Sequence, residues 1–190
     1  MNNRLRPLLL SLLCLLCACT PAEQEFSVDY PVAFTFNTTL HPASLLARLP
    51  ENSNAFVIVE AANQQGAWRL QLTSSGGETE TLLLSTDREN NSVQALGANN
   101  SIIVGCLFAA TGTDSPYLYV AYDRQCRYCL EHGTTRNVPL NFTSTALAVT
   151  CARCERTYHL STGTSTDGHR LYTYHARYNP ANGLLSVSNR

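Results

Sequence analysis

From residue 28 onward, apolar and polar positions alternate with a period of two along most of the chain. Stretches with that alternation, or with β-branched and aromatic enrichment, lie at 28–36, 55–60, 67–73, 80–85, 101–109, 117–122, 146–151, 156–160, 169–178 and 183–188. Successive side chains of a strand point to opposite faces, so each stretch predicts a strand. Polar clusters rich in Asn, Ser and Gly mark turns between them: 51–54, 74–77, 90–92, 99–101 and 179–183. Only 41–49 reads as a short helix. Many short strands at this spacing predict an all-β protein built as an antiparallel β-sandwich or barrel.

Eight of the nine tyrosines fall at or beyond Tyr117, and Tyr172, Tyr174 and Tyr178 share one face of the penultimate strand. A tyrosine stripe of that period reads as core or a half-buried sheet face. Cys106 sits inside the apolar run Ser101–Phe108 and reads as a small core residue.

A length of 190 residues suits one domain with a real core. The formal net charge of −1 gives no long-range attraction to nucleic acid, and all thirteen basic residues are arginine. No Ser-His-Asp, HExxH, phosphate-loop or paired-carboxylate pattern stands out, so no catalytic constellation is expected.

The N-terminus changes the picture. Arg4 and Arg6 precede the apolar run 7–18, which is too short to span a bilayer but suits a secretory signal. Its end, Leu16-Cys17-Ala18-Cys19, resembles a bacterial lipobox. That resemblance implies removal of 1–18, acylation of Cys19 and a lipidated tether over 19–26 ahead of a domain spanning 27–190. The alternatives are an uncleaved anchor and a soluble-secretion signal. Each buried methylene would contribute about 0.8 kcal/mol to membrane attachment. The location implied is a bacterial cell envelope, and Thr20 rather than Asp after the lipid cysteine favours the outer membrane.

With Cys14 and Cys17 in the signal, Cys19 lipidated and Cys106 in the core, four cysteines remain. They form two pairs, Cys126-x2-Cys129 and Cys151-x2-Cys154, separated by twenty-one residues. A CxxC turn aims two sulfurs at one point, and two such turns can enclose one tetrahedral ion. The spacing suits structural zinc and also a mononuclear iron. In an oxidising compartment the same cysteines could instead form disulfides or a redox-active thiol pair. Arg124, Arg127, Arg153 and Arg156 flank the pairs, placed to offset the net −2 of four thiolates on a divalent ion. His132, three residues after Cys129, could replace a ligand but reads as a solvent-facing loop histidine. His159 falls in the strand after the second pair beside Tyr158, which matches an aromatic core position, and His41, His169 and His175 show no ligand spacing.

Residues from Tyr117 onward resemble a Rieske domain. Tyr119-Val-Ala-Tyr-Asp-Arg-Gln-Cys126 is similar to the strand entering the first cluster loop of that family. Cys151-Ala-Arg-Cys-Glu-Arg-Thr-Tyr-His-Leu-Ser-Thr-Gly163 is similar to the second loop and its trailing strand, and 171–178 and 184–187 to the closing strands. The resemblance implies a Rieske-like fold with a rubredoxin- or zinc-ribbon-like loop subdomain near 124–161, as in a group of bacterial lipoproteins. The family uses Cys-x-His and Cys-x-x-His. Here Tyr128 and then Cys129 stand at the first histidine position and Cys154 at the second, so only Cys126 and Cys151 carry over. The expectation is therefore one structural zinc in a binding or scaffold module. An electron carrier with mononuclear iron or a 2Fe-2S cluster is the alternative, and all-cysteine ligation would place such a cluster near about −400 mV. A metal-free disulfide or thiol domain is the third reading. Protein or redox partners are not specified by the sequence.

Overall fold

The apolar run Ser101–Phe108 is buried at seven of its eight positions, as expected of a strand covered on both faces. Ile102, Val104 and Cys106 enter one core, and Ile103 and Leu107 enter another. The architecture is organised around that doubly covered strand.

The computed structural model describes residues 26–51, 54–64, 66–84, 86–108, 117–145 and 147–189. In chain order these form β1 (Ala33–Asn37), β2 (Ala55–Gln64), β3 (Ala67–Ser74), β4 (Thr79–Leu83), α1 (Asp87–Ser92), β5 (Ser101–Phe108) and β6 (Tyr117–Asp123). They continue as α2 (Arg127–His132), β7 (Leu140–Phe142), β8 (Ala148–Cys151), β9 (Thr157–His159), β10 (Thr164–Ser165), β11 (Thr173–Asn179) and β12 (Leu184–Ser188). The expected all-β antiparallel fold is present: an eight-stranded sheet in the order β1-β12-β11-β6-β5-β2-β3-β4 and a four-stranded sheet in the order β10-β9-β8-β7. Among the described residues no helix is long and apolar enough to cross a membrane.

The large sheet curls into a half-barrel. Phe34 and Phe36 of β1 share a core with Leu70 and Leu72 of β3, although five strands separate β1 from β3 in the sheet. Only a curled sheet brings those side chains together. The opposite face, through Phe56, Ile58, Ile103, Val120 and Tyr122, packs against Leu140, Val149, Cys151 and Tyr158 of the small sheet. The Tyr122 hydroxyl crosses between the sheets to donate to the Leu160 carbonyl at 2.9 Å. Gly163, at φ +68°, lets the chain pass close over the Tyr122 ring, which a Cβ would meet at 2.6 Å.

Tyr174 lies in the large core with Tyr178 packed against it. Tyr172 instead meets Tyr30 edge-on and carries the Arg127 guanidinium over its ring. Cys106 is a core residue, as its context predicts.

The helix expected at 41–49 does not form; the segment is a run of turns ending in a 3-10 turn at Leu49–Glu51. One backbone group is drawn into a tertiary bond, the Leu45 N–H donating to the Glu80 carboxylate at 2.9 Å. Helix forms instead at α1, whose second half is the cluster 90–92 read as a turn. There Thr86 and Glu89 make a reciprocal capping box that satisfies the end N–H groups. The strand expected at 28–36 shortens to β1, and Val28 is 80% exposed. Phe26, assigned by sequence to the tether, bridges to Thr173 and stacks on His175.

Gly105 lies directly opposite Phe56 in the β2–β5 ladder. A Cβ there would stand 2.1 Å from the ring, so the ring occupies the space that only glycine leaves. Gly105→Ala should therefore cost about 1–3 kcal/mol of stability by overpacking. Denaturant unfolding read through its midpoint measures this, with the slope expected to stay unchanged.

Candidate metal centre

The first cysteine pair sits where β6 turns into α2. Cys126 is the residue before the helix, and Cys129 follows in its first turn, so the three-residue spacing puts both sulfurs on one side. The Cys126 N–H donates to the Val138 carbonyl at 2.9 Å, which ties this turn to the segment entering β7. The second pair begins at the last residue of β8. The Cys151 carbonyl accepts from Glu155 N–H at 2.8 Å, and the Cys151 N–H donates to the Arg156 carbonyl at 3.0 Å. Glu155 closes that turn in the left-handed region at φ +59°. Leu140 of β7 pairs with Cys151 of β8, so one short strand holds both turns in register.

All four sulfurs fall within 4.8 Å of one another. The closest contacts run between the two pairs: Cys126 to Cys154 at 3.7 Å and Cys129 to Cys151 at 3.8 Å. A tetrahedral ion with metal–sulfur bonds of about 2.3 Å requires sulfur–sulfur edges of about 3.8 Å. The donor set and the spacing therefore fit a single ion. None of the four is in a disulfide. Cys126, Cys129 and Cys151 are buried, and Cys154 is partly exposed.

The electrostatics separate Cys126, Cys129 and Cys154. Burial pushes the Cys126 thiol up to about 11, against the Tyr158 hydroxyl that lies 3.4 Å from its sulfur and favours the thiolate. Burial pushes Cys129 up further, reinforced by the neighbouring thiols of Cys154 and Cys126. At Cys154 burial again acts upward, but the backbone N–H and guanidinium of Arg156 outweigh it and bring the thiol down to about 7. A quartet this close resists multiple ionisation unless a cation sits among the sulfurs.

Of the four flanking arginines, one faces a sulfur. Arg156 lies 3.4 Å from the centre of the Tyr128 ring and is held by Asp167 at 2.8 Å. The other three go elsewhere. Arg124 pairs with Glu60 and donates to the Leu140 carbonyl, Arg127 pairs with Glu131, and Arg153 donates to the Thr135 hydroxyl. Proximity in sequence placed all four beside the thiolates; the direction of each side chain leaves that part to Arg156. His132 ends α2, exposed, its ring stacked on Tyr128 and bonded to the Tyr128 carbonyl. No histidine joins the quartet among the described residues. Cys19 lies outside those residues.

Two contributors to the site escape the sequence patterns. Tyr158 reads as core, and it is fully buried, yet its hydroxyl reaches Cys126. The clamp Val138-Pro139-Leu140 follows a polar loop and is too short to register as a strand. Its signal was the alternation Val138, Leu140, Phe142 with a proline at the entrance, where a strand tolerates one.

No family model, no curated protein and no solved structure matches the chain. Arg156→Gln in the reduced, metal-free protein should shift Cys154 alkylation to higher pH and slow it about three- to tenfold at pH 7, because the cation favouring the thiolate is gone. Mass-spectrometric mapping of iodoacetamide labelling across pH measures this.

Proposed function

We propose that the protein is a lipid-anchored component of a bacterial envelope whose Rieske-like β domain holds one structural zinc on Cys126, Cys129, Cys151 and Cys154. It then serves as a binding or scaffold module without catalysis of its own. The observation that carries this reading is the spacing of the quartet, four sulfurs within 4.8 Å. A two-iron cluster distributes its outer thiolates over two metals and sets the pairs well apart, whereas this quartet suits one ion. Three of the four ligands are buried, as suits a closed structural site with no position left for substrate. Zinc there clamps α2 and the β8–β9 turn onto the small sheet, and sites of this type can contribute on the order of 10 kcal/mol to folding. The anchoring part of the proposal rests on the Leu16–Cys19 sequence.

A second reading is a single iron serving in electron transfer. The partial exposure of Cys154 favours it, since one ligand then lies within reach of a redox partner.

Elemental analysis and an absorption spectrum of protein purified anaerobically decide between them. A colourless protein with one zinc per chain supports the first reading, and a coloured one with one iron supports the second. Neither metal at stoichiometric level would sink both. Cys151→Ser and Cys154→Ser should each lose the metal and raise amide exchange across 124–161 while leaving β2, β3 and β5 protected. Independently, Cys19→Ser should abolish the acyl mass on the N-terminal peptide and move the protein from the membrane to the soluble fraction; an unchanged fractionation and peptide mass would remove the anchor from the proposal.

A further inference from the structure

Away from the cysteines, the large sheet carries a cavity of about 400 Å³, within the range of small-molecule sites. The β6–β11 ladder covers only two residue pairs, Tyr122 with Thr173 and Ala121 with Tyr174. The cavity opens beside the rest of those strands. Arg170, His175 and Arg177 line it together with Ser161 and Thr162, and among the described residues no carboxylate does.

Six of the ten described arginines make no ion pair with a described carboxylate, and two of them stand at this cavity. Arg48, Arg124, Arg127 and Arg156 each pair with an acid. Arg170 and Arg177 make no ion pair with any carboxylate among the described residues. Two guanidinium groups lining one cavity, with no described carboxylate beside them, match the several acceptor oxygens of a phosphate. The imidazole of His175 is held flat against Phe26, with ring centroids 3.4 Å apart. The remaining wall is made of apolar side chains and three tyrosines, and Leu118 in it is 53% exposed.

We propose that this cavity binds a phosphate-bearing ligand with an apolar body, its phosphate on Arg170 and Arg177 and its apolar part on Leu118 and Phe26. The ligand could be a phospholipid headgroup with the start of its chains, or a soluble organic phosphate. Neither the metal nor the anchoring reading is needed for this.

The test is an NMR titration of the purified protein with three probes: glycerol 3-phosphate, a short-chain water-soluble phosphatidylglycerol, and acetate. Both phosphates should shift amides near Leu118 and Ala176, and acetate should bind more weakly. Tighter binding of the phospholipid assigns a headgroup, and equal binding of the two phosphates assigns a soluble phosphate. Arg170→Gln and Arg177→Gln, both at exposed positions, should each weaken phosphate binding roughly tenfold while metal content stays unchanged. No binding of either phosphate at millimolar concentration, equal binding of acetate, or undiminished binding by both variants would overturn the proposal.

Discussion

The backbone bonds of one short segment, Val138 to Leu140, set the position of the cysteine quartet. The Val138 carbonyl takes the Cys126 N–H, and the Val138 N–H goes to the buried Gln125 side chain at 2.6 Å. Leu140 then donates to the Arg124 carbonyl at 2.7 Å and pairs with Cys151. These groups are buried, and a buried backbone group without a partner costs about 1–3 kcal/mol. Shifting the segment by one residue would break several such bonds at once. The two cysteine turns are thereby held in register by a strand that contributes no ligand.

The same clamp connects the site to the rest of the fold. Asp123, at the end of β6, accepts from the N–H groups of Ala98 and Gln125 and from the Tyr174 hydroxyl, each at 2.7 Å. Burial pushes its carboxyl up to about 6 despite those three donors. Asp123 thus joins the large core, through Tyr174, to the turn that carries Cys126. On the other side, Tyr158 is packed in the second core and touches the Cys126 sulfur. The quartet is built into a packed sheet interface, which keeps water from three of the four sulfurs and leaves Cys154 and Arg156 as its outward side.

That outward side has its own order. Arg156, Tyr128 and His132 form a stack over the surface of the site, with Asp167 holding the guanidinium in place. One well-placed cation beside the most exposed thiol does what four loosely placed ones could not, because the benefit of a charge falls off with distance and with access of water.

Much of this was legible in the chain. Period-two patterning marked the β architecture, and the continuous run at 101–108 marked a strand buried on both faces. The doubled CxxC spacing picked out the quartet that the fold brings together. Thr86-Asp-Arg-Glu89 also carried a helix-start signal just ahead of an apparent turn. What the chain could not disclose depended on partners far away in sequence. Residues 41–49 lost their helix to a bond with Glu80, and three of four arginines turned to Glu60, Glu131 and Thr135. Local spacing determines which way a strand or a CxxC turn presents its side chains, since that is a matter of neighbouring torsion angles. Which of those side chains meet, and which charges find each other, was decided only when the two sheets packed, because burial and hydrogen bonding act between residues that the sequence keeps apart.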